Sequence, residues 1–131
     1  MTTSGVSPVR GAVFLVAFLG TFVVVRTWLW FTPDADFDVA GYNIHHLFTG
    51  VLVLTASMVP LALGAGSRAA MPLLAGSGVG LSLVLDEWLY LIVTDGSNAS
   101  YLLPVSFWGA AALHAAVTVA VLAARRPRPA P

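Results

Sequence analysis

With 131 residues, 58% of them hydrophobic and 9% charged, and a mean hydropathy of +0.88, the chain has room for one compact domain but too much apolar side chain for a soluble one. Six Arg, no Lys and six acidic residues give a formal net charge of zero, so no basic face exists to hold nucleic acid. The absence of Cys excludes disulfides, thiolate metal sites, iron–sulfur clusters and a cysteine nucleophile, and leaves any metal to His, carboxylate or other oxygen ligands.

Long runs nearly free of charge organise the rest. In hydrocarbon only helices and closed barrels satisfy their own backbone polar groups, and runs that are continuous rather than alternating select helices. The first predicted span covers 11–31. Arg10 precedes it as in a signal peptide, but no A-x-A-like cleavage pattern follows and the run ends in Arg26 and the Trp28 to Phe31 tetrapeptide, so it reads as a permanent helix. A loop over 32–41 carries Pro33 and three Asp, and the second span follows over 44–63. Two Gly and Ser67 mark the loop over 64–70, the third span covers 71–93, and TDGSNAS fills the loop over 94–100. Asn98-Ala99-Ser100 there fits the glycosylation acceptor pattern. The fourth span covers 102–124, and the Arg- and Pro-rich stretch 125–131 reads as a disordered tail. Each span is close to the roughly 20 residues that cross a bilayer. The expected fold class is all-α, an integral membrane four-helix bundle forming a single transmembrane domain over 1–131.

Arg10, Arg68, Arg125, Arg126 and Arg128 fall on one side of these spans, which makes that side, with both termini, cytoplasmic. Only Arg26 lies toward the other side, together with Asp34, Asp36, Asp38 and Asp95. Trp28, Trp30, Tyr42, Trp88, Tyr101 and Trp108 line the outer boundary as an aromatic belt.

Alternating helix direction lets depths be compared between spans. At about 1.5 Å per residue, Arg26 sits roughly 7 Å below the outer end of its helix, His45 and His46 within about 5 Å, and Asp86 and Glu87 about 10 Å. Five ionisable side chains thus share one outer layer. Each costs at least about 2.5–3.5 kcal/mol at membrane depth on insertion scales, so they are expected to face the interior and meet, with Arg26 paired to a carboxylate of the third helix. Asn43, His46 and Gly50 share one helix face, as do Gly76, Gly80 and Glu87, whose small residues permit close approach. Tyr42, His45 and Thr49 form a second face, and Ser82, Asp86 and Tyr90 another. Adjacent pairs span about 100° of helix, so one member of each turns to the centre. Which one stays open, with His46 and Asp86 or Glu87 the first choices.

His45, His46, Asp86 and Glu87 form a candidate divalent-metal site for Zn, Fe or Mn, with Arg26, Asn43 and Tyr90 as supporting polar residues and Gly50, Gly76 and Gly80 as packing positions. Neither pair has the ligand spacing of H-E-x-x-H or of the Glu-x-x-His of di-iron bundles. In the competing structural reading Arg26 pairs with Asp86 or Glu87, the histidines hydrogen-bond, and the cluster only locks the helices. His114, about 18 Å down the fourth span, lies in an alanine-rich stretch and reads as a packed histidine. Its offset of roughly 10 Å from the cluster argues against a bis-His haem. Gly76, Ser77, Gly78 and Gly80 lie inside an apolar helix with no preceding strand, so they serve packing rather than phosphate binding.

YNIHHLFTG (42–50) followed by GLSLVLDEWLY (80–90) resembles a group of uncharacterised small prokaryotic four-span membrane proteins that carry an HHxxxG motif and then a DE pair. The resemblance covers roughly residues 42–90 and points to His45, His46, Gly50, Asp86 and Glu87. It implies a prokaryotic plasma-membrane location and supplies no catalytic roles. Three functions stay open. The first is a metal-dependent enzyme activating water or oxygen against a lipid-like or outside-facing small substrate. The second is a structural or partner-binding membrane subunit, alone or as a homo-oligomer, and the third a small ion or proton conductor.

Overall fold

The computed structural model describes residues 8–35, 38–40 and 42–125, and it is all-helical apart from one minimal strand pair. Helix α1 runs Pro8–Phe31. Proline suits a first turn, where its missing N–H costs nothing. The helix stops before Thr32, which precedes Pro33 and is therefore driven from helical geometry. Two-residue strands β1 (Asp38–Val39) and β2 (Tyr42–Asn43) pair antiparallel across a turn in which Ala40 takes φ 53°. Helix α2 covers His46–Ala62 and closes with Gly64 at φ +82°. Gly64 N–H donates to Leu61 O and Ala65 N–H to Pro60 O, the paired bonds of a Schellman end. Helix α3 runs Ser67–Val93, starting earlier than the 71–93 expected because nothing after Gly66 stops it.

The expected fourth span divides in two. One turn, α4 (Asn98–Tyr101), is capped by Ser97 Oγ accepting from Ser100 N–H at 3.3 Å. Helix α5 (Pro104–Ala124) follows after Leu103, which as a pre-proline residue takes ψ 148° and breaks the helix. The loop expected over 94–100 is thus partly helical. Of the tail expected over 125–131, Arg125 ends α5, and 126–131 lie outside the described residues.

Helix α3 is the hub. It packs against α2, α1 and α5, and α1 also meets α5, whereas among the described residues the backbone of α2 approaches neither α1 nor α5. The contact surfaces are made of small residues. A Cβ on Gly80 would stand 2.5 Å from Leu54 N and 2.8 Å from Gly50 O, so α2 and α3 touch backbone to backbone at the glycines the spacing selected. Gly76 lies against Ser57 on the same seam, while Gly78 faces Phe14 and Phe18 of α1. The buried set includes Ser57, Ser77, Ser82, Ser106, Asp86, Glu87 and His114, whereas Val16, Val24, Leu52 and Phe31 point outward. Polar and small residues share the interior with Leu15, Phe18, Tyr90 and Tyr101, while many large apolar side chains lie outside, unlike a soluble domain. Helices α1, α3 and α5 are long and apolar enough to cross a membrane, and α2 is apolar but shorter at 17 residues.

Gly80→Ala pushes a methyl group into backbone that cannot swing aside. It is expected to cost about 1–3 kcal/mol, read as a lower midpoint of thermal unfolding in detergent. Gly20→Ala, where nothing lies within 4 Å, leaves the midpoint unchanged or raised.

Candidate functional site

The end of α1, the start of α2, the last third of α3 and the whole of α4 meet at one end of the molecule. Arg26 comes from α1. Its Nε donates to Asp86 Oδ1 at 2.6 Å, Nη2 to the Asp86 carbonyl at 3.1 Å and to Ser106 Oγ at 3.2 Å, and Nη1 to the Tyr101 carbonyl at 3.2 Å. Its guanidinium carbon lies 4.1 Å from the centre of the Tyr101 ring. The expected pairing of Arg26 with a carboxylate of the third helix is therefore made to Asp86.

The adjacent carboxylates serve different neighbours because they sit about 100° apart on the helix. Asp86 turns toward Arg26 of α1 and toward α4, where Tyr101 Oη also donates to its Oδ2. Glu87 turns toward α2. That helix has no side-chain cap of its own, and Glu87 Oε2 accepts the Leu47 N–H at 2.7 Å, a carboxylate from α3 capping the N-terminus of α2. His45 sits just before the helix in extended geometry and brings Nδ1 to 3.2 Å from Glu87 Oε1. His46 reaches both acids, with Nε2 at 2.9 Å from Asp86 Oδ2 and Nδ1 at 3.3 Å from Glu87 Oε1.

Tyr101 is placed by its own loop. Ser100 Oγ and the Ser97 N–H donate to Asp95, and these bonds hold its exposed carboxyl down at about 2, so the turn keeps this anchor until pH falls toward that value. Burial first, and the Asp86 charge second, raise the Tyr101 phenol above its ordinary range, so it remains a neutral donor.

The four candidate ligands and Arg26 are thus brought together, but not as a preformed metal cage. Among the described residues no three His, Asp or Glu side chains are disposed to hold an ion, and no buried side-chain polar atom lacks a partner. Tyr90 borders the network: its hydroxyl donates to the Gly96 carbonyl at 2.5 Å, with the Ser97 carbonyl at 3.1 Å, and its ring meets those of His45 and Tyr101 edge-on. The Asn43 side chain lies outside what is described. His114 is buried and packed, its ring stacked on Phe18 and tilted against Phe22, and it bonds Ser82 Oγ at 3.0 Å and the Ala110 carbonyl at 2.8 Å. Tyr101 and Ser106 are the site residues that spacing missed. Ser106 was legible as a lone hydroxyl near the start of an apolar helix, whereas Tyr101 turns inward only because α4 breaks from α5.

Since α2 leans on α3 alone, a cleft of about 490 Å³ opens between α1 and α2. Val25, Trp28, Leu29, Ile44, Leu83 and Leu102 form its apolar walls. His45, His46 and Glu87 form its polar end. The chain matches no protein-family model, no curated protein and no solved structure.

Two substitutions rank the network's bonds. Arg26→Leu leaves Asp86 buried without its counter-charge and is expected to cost about 3–5 kcal/mol. Tyr101→Phe removes one donor and is expected to cost about 1–3 kcal/mol. Unfolding in detergent monitored by circular dichroism measures both, and equal losses would contradict the ranking.

Proposed function

We propose that the chain is a four-span integral membrane protein, with both termini cytoplasmic, that binds a small amphipathic molecule in the cleft between α1 and α2. Support for the membrane comes from the three long apolar helices and from the many large apolar side chains exposed on the outside while Ser, Asp, Glu and His side chains are buried. Helix α2, at 17 residues, is about 25 Å long, near the lower limit for a span. Arg10, Arg68 and Arg125 lie at the end opposite the cleft, and the positive-inside bias supports reading that end as cytoplasmic and the cleft as opening in the outer leaflet.

The cleft itself carries the ligand reading. Its volume of about 490 Å³ is that of a small-molecule site, and its apolar walls converge on one polar end. A ligand entering sideways from lipid keeps its chain against Val25, Leu29 and Leu83 and its headgroup against the imidazoles. A divalent ion is a less favoured occupant. Asp86 is already bonded by Arg26, Tyr101 and His46, the guanidinium repels a cation there, and ligation by Glu87 would compete with its cap on α2. A purely structural cluster would need no cleft beside it.

Photolabelling in nanodiscs with a diazirine-bearing monoacylglycerol tests the reading. Adducts are expected on Val25, Leu29, Ile44 or Leu83, and Val25→Trp, which fills the cleft, should reduce them about tenfold, equivalent to about 1.4 kcal/mol of binding. Labelling spread evenly over the lipid-facing residues of α1 and α5 would refute it, and near-stoichiometric Zn, Fe or Mn in purified protein would favour the metal instead. Reporter fusions after Arg68 should read cytoplasm and fusions at Gly96 the exterior, and the reverse pattern would overturn the orientation.

A further inference from the structure

We propose that a second pocket, on the opposite face of α1 from the cleft, binds the headgroup of a membrane-soluble quinone, with a ring carbonyl accepting hydrogen bonds from Arg26 and Thr27. The site is separate from the cleft and rests only on the membrane reading. At about 100° per residue, Val25, Trp28 and Leu29 turn one face of α1 to the cleft, while Arg26, Thr27 and Trp30 turn the other toward α5. There they line a pocket of about 420 Å³ together with Phe31, Leu102 after α4, and Phe107 of α5. That volume is in the range of small-molecule sites.

Two polar groups in this pocket have hydrogen-bonding capacity that the protein does not use. A guanidinium carries five N–H donors. Nε of Arg26 donates to Asp86 Oδ1, Nη2 to the Asp86 carbonyl and to Ser106, and Nη1 once, to the Tyr101 carbonyl. The second Nη1 N–H has no acceptor among the described residues. The Arg26 side chain is 10% exposed and lines this pocket rather than the cleft, which directs the remaining donor to this side. Thr27 supplies the other group. In Thr21, Thr32, Thr55, Thr94 and Thr118 the hydroxyl donates to the carbonyl four residues back, which satisfies it locally. The exposed Thr27 makes no such bond among the described residues, and it lines the pocket beside Arg26.

Chemistry narrows the ligand. The Arg26 charge is already matched by Asp86 at 2.6 Å, so the guanidinium has a hydrogen bond left to offer but no unmatched charge. An uncharged acceptor therefore fits better than an anion, whose own charge would stand uncompensated in apolar surroundings. A carbonyl oxygen has two lone pairs and can accept from both donors. The walls are aromatic. Phe107 is braced between Phe22 and Trp108, with ring centres at 6.2 and 5.2 Å, whereas Trp30 and Phe31 meet no other ring among the described residues and stand outward, free to stack. A flat conjugated ring that bears a carbonyl satisfies the donors and the rings together, and its apolar tail continues into lipid beside α1 and α5. The event is binding alone, with no bond or electron transferred.

Decylubiquinone titrated calorimetrically into the full-length protein in dodecyl maltoside, a detergent without carbonyl groups, tests this. One saturable site per chain is expected. Decylbenzene, which has the tail and a ring but no carbonyl, should not bind saturably, and decylbenzoate should bind no more tightly than the quinone. Thr27→Val keeps the shape, removes the hydroxyl and should weaken quinone binding by roughly 5–10-fold, whereas Thr27→Ser should retain it. Neither variant touches the contact of Arg26 with Asp86, so both read the pocket without disturbing that ion pair. Unchanged affinity in Thr27→Val, saturable binding of decylbenzene, or tighter binding of the benzoate would overturn the proposal. Displacement of the quinone by an equal concentration of dimyristoylphosphatidylcholine would also overturn it, by assigning the pocket to a lipid ester. Loss of quinone binding in Val25→Trp would place the quinone in the cleft, which removes this site and leaves the first. Absence of quinone binding while monoacylglycerol still labels the cleft would likewise sink this site alone.

Discussion

The contact of Arg26 with Asp86 is the constraint on which the upper half of this fold depends. A guanidinium that has left water must find compensation, and this one finds it in α3 through the Asp86 side chain and carbonyl, in α4 through the Tyr101 carbonyl, and in α5 through Ser106. One side chain of α1 therefore fixes three other elements. Buried ion pairs often contribute little net stability compared with apolar replacements, yet losing one partner is costly. The pair acts as a positional lock, since the helices fit this arrangement or leave a charge stranded.

A second consequence concerns α2. The lock involves α1, α3, α4 and α5 but reaches α2 only through His46 on Asp86. Helix α2 is held instead by the glycine seam of Gly50 and Gly80 and by Glu87 capping its first turn. Anchored to α3 alone, it leaves the space toward α1 unfilled, so the cleft results from how the polar bonds are divided. The same Glu87 that caps the helix lies at the polar end of the cleft, so one side chain serves both the attachment of α2 and the lining of the cleft.

Much of this was legible in the sequence. Long uncharged runs fixed three of the long helices closely, and depth comparison brought Arg26, His45, His46, Asp86 and Glu87 to one layer before any coordinates. Small-residue spacing marked Gly50, Gly76 and Gly80 as a seam. What could not be read was lateral arrangement. Helices apolar all round carry no face that names their neighbour, so neither the isolation of α2 nor the turn of Asp86 toward α1 and Glu87 toward α2 followed from periodicity. Helix α4 was hidden because a single turn depends on local caps, Ser97 and the Leu103–Pro104 break, rather than on hydrophobic pattern. Without α4, Tyr101 read as a boundary aromatic instead of a donor to Asp86.

A double-mutant cycle measures the lock most directly. Unfolding free energies of the parent, Arg26→Leu, Asp86→Asn and the double variant in one detergent give the coupling between the two side chains. The structure predicts that the double variant recovers much of the loss seen in Arg26→Leu, with a coupling above about 1 kcal/mol. Losses that simply add, to within about 0.5 kcal/mol, would mean that Arg26 and Asp86 do not hold the helices together and would contradict the account at its base.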